Sequence, residues 1–267
     1  MMRRPSLRAR LASIPTGRLL LFLDYDGTLT PIVRRPQDAQ LKASIRWTLG
    51  KLARSVPVVI ISGRTLSDVQ RRVAVSGVRY VASHGLVHKQ PGATVQWLGR
   101  PVPRTTVQRW VKALESATTG ITGALVEDKG FSVALHDRSV HPAHRPRLRR
   151  RALRALKPWL SSGKVTLIRG KRVLEARPSG LWNKGSAVAR LLRQRWARGR
   201  IPLFIGDDQT DFDAFRAVQD HGGIAVRVGG RRSIAGEDSW VPDPKAVESL
   251  LRQLARSLRS AIDSVTK

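Results

Sequence analysis

Residues 18–28 read RLLLFLDYDGT, and this stretch decides the architecture. Leu19 to Leu23 form a short apolar run that stops abruptly at Asp24, Tyr25, Asp26 and Gly27. A run of that length, apolar at successive positions and closed by a polar turn, predicts a strand buried on both faces of a parallel sheet. Two other stretches share the design: VPVVIISGR at 56–64 and IPLFIGDD at 201–208. Between them lie helical patterns. Gln40 to Arg54 carries Leu41, Ile45, Leu49 and Leu52 at helical spacing, and Lys184 to Arg195 reads as another helix. VRYVASHG at 78–85 and GGIAVRVG at 222–229 add strands, and Leu66–Val73, Asp211–Val218 and Ala246–Ile262 add helices. Strands alternating with helices predict an α/β fold, a mostly parallel sheet covered by helices.

The rhythm changes after about residue 88. A helix is expected over Val102–Ser116, then strands ITGALVE and GFSVALH around Asp128, Lys129 and Gly130. The basic tract His141–Leu160 is helical in pattern, and KVTLI and RVLEAR follow as a second hairpin. Helix, hairpin, helix, hairpin describes a small α+β unit inserted between sheet elements. Pro101, Pro103, Pro178 and Gly180 mark its borders. The expected organisation is core at 1–100, inserted unit at 101–179, and core again at 180–267.

Composition narrows the chemistry. The 267 residues hold 49 Lys and Arg against 19 Asp and Glu, a formal charge of +30, and no cysteine. Without cysteine there are no disulfides, thiolate metal ligands, iron–sulfur clusters or cysteine nucleophiles. The positive field attracts nucleic acid, anionic membrane or phosphorylated metabolites without choosing among them. The densest part, HRPRLRRRALRALK at 144–157, carries seven positive residues and no acid. No stretch has the roughly 18 consecutive apolar residues of a membrane-spanning helix. The first 17 residues, with four Arg and no acid, read as a disordered basic start or a short transit segment.

Three predicted strands end in reactive groups: Asp24 with Asp26, Ser62, and Asp207 with Asp208. Ligand sites in open parallel sheets lie beyond the carboxyl ends of the strands, so these groups are expected to converge. DYDGTLT, SGR, Lys184 and GDDQTD, taken in order, resemble the four motifs of the haloacid-dehalogenase-like phosphohydrolases. VEDKGFSVALH and VLEARPSGLWNKG resemble, more narrowly, the trehalose-6-phosphate phosphatases, and the likeness spans about residues 19 to 250.

That resemblance implies a Rossmannoid core with an inserted α+β cap, acting as a lid, and hydrolysis of trehalose 6-phosphate to trehalose and phosphate. Asp24 would be the nucleophile, forming an aspartyl-phosphate, and Asp26 the acid and base. Ser62 and Lys184 would bind phosphate, and Arg64 would reach it or hold the turn. Magnesium would lie on the Asp24 carboxylate, the Asp26 backbone carbonyl and Asp207, with Asp208 and Asp211 supporting from behind. Glu127, Lys129 and Glu175 would read the sugar hydroxyls, with Arg177 and His136 as further candidates and His84 and Gly85 as part of the wall. Val87, Asp137 and Phe212 depart from the family pattern, which bears on the sugar more than on the reaction. Other readings are the same chemistry on a sucrose or glycosyl-glycerate phosphate, or a basic nucleic-acid-binding protein on a hydrolase scaffold. No zinc-finger, RNP or KH pattern supports the last, so no specific nucleic acid is expected. A cytoplasmic enzyme coupled to a trehalose-6-phosphate synthase is the expected setting.

Overall fold

The computed structural model describes residues 6–15, 17–33, 35–99, 102–170, 172–179, 182–230 and 239–265. The turn positions Pro101 and Gly180 lie outside them. The chain divides into two compact units, residues 1–99 with 182–267, and residues 100–181.

In the first unit the strands are β1 (Leu19–Asp24), β2 (Val58–Ile61), β3 (Arg79–Ala82), β4 (Val87–Lys89) and β5 (Gln96–Trp97). In the second they are β6 (Leu125–Asp128), β7 (Val133–His136), β8 (Val165–Gly170) and β9 (Val173–Pro178). The first unit resumes with β10 (Ile201–Gly206), β11 (Ile224–Val228) and β12 (Ser239–Val241). Its helices are α1 (Leu7–Ala12), α2 (Ala43–Ser55), α3 (Leu66–Val73), α6 (Lys184–Leu192), α7 (Phe212–Gln219) and α8 (Pro244–Val265). The second unit holds α4 (Arg104–Thr118) and α5 (Arg145–Ser161).

The first unit's sheet runs β12-β11-β10-β1-β2-β3-β4-β5. Neighbours from β12 through β3 are parallel, and β4 and β5 complete one edge antiparallel. Alternation along β1 divides its side chains between two cores. Leu19, Leu21 and Leu23 pack with residues of α2, α3 and α8, whereas Leu20 and Phe22 pack with residues of α6 and α7. This two-sided burial is why the strand reads as an unbroken apolar run. Residues 6–15 are ordered where composition suggested a disordered start. Ser6 caps α1, Leu11 is buried, and Leu7 and Ile14 pack against the same core, so three apolar side chains anchor the helix.

In the second unit an antiparallel sheet, ordered β6-β7-β9-β8, puts Val133, Leu135, Leu174 and Ala176 into one core with residues of α4 and α5. The basic tract resolves into a 3-10 turn at Pro142–His144 followed by α5. Three of its arginines have internal partners. Arg145 donates to the carbonyls of Asp137 and Arg138, Arg149 to the Asp137 carboxylate, and Arg151 to the carbonyls of Ser116 and Thr119.

Candidate active site

Register brings the reactive residues of the first unit together. Leu23 pairs with Ile205 and Asp24 with Ile61, so Ser62 stands one step, and Asp207 two steps, beyond the last residue paired with β1 on either side of Asp24. β1 lies at the switch point of the sheet, where the chain continues to opposite sides, and the crevice at such a point is the usual ligand position.

Gly27 makes the turn after Asp26 possible. Its φ of +85° suits glycine, and a Cβ there would lie 2.0 Å from Oδ2 of Asp207. The Thr28 hydroxyl donates to Oδ1 of Asp207 at 3.4 Å. Lys184 opens α6, whose N-cap Asn183 accepts from the backbone N–H of Ser186. Gly85, at φ +105°, lets that segment approach, since a Cβ would meet the Asn183 carbonyl at 2.4 Å. Gly85 thereby seats the start of α6, a packing role the sequence did not announce. The His84 ring packs over the backbone of Gly63, where a Cβ would stand 2.4 Å from it.

The centre is a buried charge cluster. The Lys184 ammonium donates to Asp24 at 2.6 Å and to Asp211 at 2.7 Å, and all three side chains are buried. Burial alone would push the Lys184 ammonium down, but the Asp211 and Asp24 carboxylates outweigh it and hold its pKa above the ordinary lysine value. Burial, then crowding by Asp211 and Asp207, raises the Asp24 carboxyl well above the usual range despite Lys184. Asp207 is pushed up to about 7, first by burial and then by Asp211 and Asp208. Asp211 also accepts the backbone N–H of Asp208, closing a capping box with it. It therefore both caps a turn and orients Lys184.

Carboxylate oxygens of Asp24, Asp207 and Asp211 lie within 4.8 Å of one another. Three carboxylates beside one ammonium are electrostatically under-compensated, and an all-oxygen donor set fits a hard divalent cation such as magnesium. The side-chain cluster thus includes Asp211, expected only to support the metal from behind; Asp26 was expected to contribute its backbone carbonyl, not its side chain.

Ser62 is buried, and its Oγ accepts the Arg64 backbone N–H at 3.1 Å. Arg64 forks onto Asp26, from Nε to Oδ2 at 2.7 Å and from Nη2 to Oδ1 at 2.6 Å. Its third arm, Nη1, donates to Asp68 at 2.7 Å. Asp68 was not singled out from sequence, because nothing in the spacing links it to a residue 42 positions earlier.

The sugar-reading candidates form a separate cluster in the second unit. Glu127 pairs with Ala134 and Ala134 with Glu175 across β6, β7 and β9, which places both carboxylates on one face of the sheet. Arg177 and His136 follow on that face by the two-residue period of strands. Glu175 is buried, accepting from Lys129 at 2.8 Å and Ser132 at 2.7 Å. Glu127 bonds His136 at 2.8 Å, which holds its carboxyl below the ordinary range.

Comparisons with known proteins agree with this geometry. Residues 22–239 match the protein-family model described as trehalose-phosphatase. The chain is 30% identical over 258 residues to trehalose-phosphate phosphatase B of Arabidopsis thaliana, covering 92% of this chain and 68% of that protein. Its fold is similar to the C-terminal domain of a C. albicans trehalose-6-phosphate phosphatase, with TM-score 0.79 and 24% identity over 91% of this chain and 94% of that one. A haloacid dehalogenase-like hydrolase from B. subtilis shares the fold at TM-score 0.58 and 16% identity, over 89% and 99% of the two chains.

Proposed function

Because the chain belongs to the trehalose-phosphatase family, we infer that it hydrolyses trehalose 6-phosphate to trehalose and inorganic phosphate, with Asp24 as the nucleophile. The observation that carries the mechanism is the Asp24–Lys184–Asp211 cluster at the carboxyl end of the central strand, beside Asp207. Neither another sugar phosphate nor nucleic acid as the primary partner is favoured by the relatives.

In this reading a carboxylate oxygen of Asp24 attacks phosphorus and the bond from phosphorus to the sugar oxygen breaks. Asp26 hands a proton to that oxygen as trehalose leaves. Water then attacks the aspartyl-phosphate, its proton passes to Asp26, and phosphate leaves with the Asp24 carboxylate restored. Lys184 orients the Asp24 carboxylate and favours its ionised form against the opposing effect of burial. The Ser62 hydroxyl would donate to a phosphate oxygen, Glu127, Lys129, Glu175 and Arg177 would bind the sugar hydroxyls, and His84 and Gly85 would form part of the wall. Asp24, Asp207 and the Asp26 carbonyl would hold magnesium, with Asp211 and Asp208 behind them. The ion supplies Lewis-acid neutralisation of the phosphoryl charge when bound. The proposed setting is cytoplasmic, alongside the synthase that makes this phosphorylated substrate. No helix among the described residues is long and apolar enough to cross a membrane.

Phosphate release across a panel of sugar phosphates, with and without magnesium, tests the reading. Trehalose 6-phosphate should give the highest kcat/KM and chelation should abolish turnover. Preference for another sugar phosphate by orders of magnitude would overturn the substrate, and magnesium-independent turnover would overturn the metal.

A further inference from the structure

The segment Asp24-Tyr25-Asp26 is gripped by a closed circuit of hydrogen bonds that leaves from Asp26 and returns to Tyr25. From Asp26 the path runs through Arg64 to Asp68, at 2.6–2.7 Å throughout. Asp68 then accepts Nε of Arg72 on both oxygens, at 3.0 and 2.9 Å. Arg72 Nη1 donates to the carbonyls of Gln37 and Ala39 at 3.0 Å, and the buried Tyr25 hydroxyl donates to the same Ala39 carbonyl at 2.9 Å. The Arg64 guanidinium also lies 5.4 Å from the Tyr25 ring centroid. Side-chain exposure is only 11% for Arg64 and 9% for Arg72.

Such a network is a poor device for stability, because desolvating the charges offsets most of their attraction and apolar side chains often serve as well. Its distinctive property is geometric. A planar guanidinium meeting both oxygens of a carboxylate fixes its plane as well as its position, which a lysine cannot do. Asp68 holds Arg64 from the other end through one bond from Nη1, and is itself anchored in the first turn of α3, whose N-cap is Thr65. The half-exposed Asp26 side chain, 43% accessible against 21% for Asp68, which also accepts from the exposed Arg71, is the most open of the circuit's charged side chains.

We propose that Asp68 and Arg72 are positioning residues for the departure of the sugar: through Arg64 they aim the Asp26 carboxyl at the leaving oxygen. The proposal rests on reading Asp26 as the proton donor. Asp26 acts on the first bond cleavage only when the leaving group needs a proton, and p-nitrophenolate needs none. Positioning therefore predicts a split between substrates that general loss of structure does not produce.

The test is single-turnover rapid quench, with magnesium, on the wild type, Asp68→Asn, Arg72→Met, Asp26→Asn and the Asp26→Asn/Asp68→Asn double variant. Asp68→Asn is nearly isosteric, and Arg72→Met keeps an unbranched stem should the first variant fold poorly. Trehalose release should slow about 10- to 100-fold in each positioning variant, within the range that acid catalysis supplies. The p-nitrophenolate burst should stay within about twofold of wild type, and Asp68→Asn should add little on the Asp26→Asn background, as expected of residues acting as a unit. Equal slowing of both substrates, or no slowing of trehalose release, overturns the proposal. If Asp26→Asn itself leaves trehalose release intact, the proton-donor reading fails as well. Impairment of Asp26→Asn alone would refute only the positioning role.

Discussion

Gly27 leaves open the space that the Asp207 carboxylate occupies: a Cβ at position 27 would stand within 2.6 Å of all three atoms of that group. Glycine is thus required twice, by its φ of +85° and by the approach of a residue 180 positions away. Gly27→Ala should cost about 1–3 kcal/mol in backbone strain alone and displace Asp207 besides. The expected result is a folded protein with a lower urea midpoint and activity reduced by about two orders of magnitude, as follows from misplacing reacting groups by about 1 Å. Wild-type activity in Gly27→Ala would show that Asp207 has no catalytic part.

Lys184 is the sole cation in hydrogen-bond contact with Asp24 and Asp211 among the described residues. Lys184→Met should be strongly destabilising without magnesium, by about 3–5 kcal/mol, because it leaves two buried carboxylates unpaired. Asp24→Asn removes one of the crowded charges, so it should lose turnover while keeping or raising its melting temperature. Denaturation curves for the two variants, run beside phosphate-release assays, separate charge balance from chemistry. An unchanged Lys184→Met midpoint would contradict it.

The carboxyl of Asp207, pushed up to about 7, ties metal binding to pH. Its folded-state pKa lies above the unfolded value. Its favourable contribution is therefore complete below the ordinary carboxylate range and is lost as pH rises through about 7. Magnesium requires the ionised form and competes with that proton. The rise in melting temperature on adding magnesium should be larger at about pH 8 than at about pH 6, and Asp207→Asn should abolish the difference. A magnesium shift independent of pH would dissociate Asp207 from the ion.

Glu175 is a buried carboxylate held by Lys129 and Ser132. Lys129→Met removes its counter-charge, so the second unit should lose stability along with affinity for the sugar. Glu175→Gln keeps the shape and removes the charge. It should raise KM for trehalose 6-phosphate by about tenfold or more, the scale of a lost charged hydrogen bond, with p-nitrophenyl phosphate little affected. Equal effects on both substrates would remove Glu175 from sugar recognition.

The strands and their reactive ends were legible in sequence because burial on both faces leaves an unbroken apolar signature, as at Leu19–Leu23 and Leu203–Ile205. The edge of the sheet was not. β4 is three residues long, β5 two and β12 three, too short for a period to show. Helix limits shifted where proline intervenes: the tract expected from His141 becomes a helix only at Arg145, after Pro142 has opened a separate turn. Within the site, motif spacing pointed to Asp24, Ser62, Lys184 and Asp207. The partners Asp68 and Arg72 escaped it because a surface-type i,i+4 pair looks the same in sequence whether or not a second arginine joins it to Asp26. The clash-free contacts of Gly85 and Gly27 likewise exist only between segments distant in the chain.

The strand order carries a further consequence for biosynthesis. β1 hydrogen-bonds β2 on one side, but its other partner, β10, is encoded at 201–206, after the whole of residues 100–181. At translation rates of about 5–20 residues per second, the apolar edge of β1 waits about 10–40 s for its mate. The second unit is complete in the meantime and is free to fold first. The nascent chain thus carries an open, adhesive strand through most of its synthesis, and a ribosome-associated chaperone would find its binding site at Leu19–Leu23.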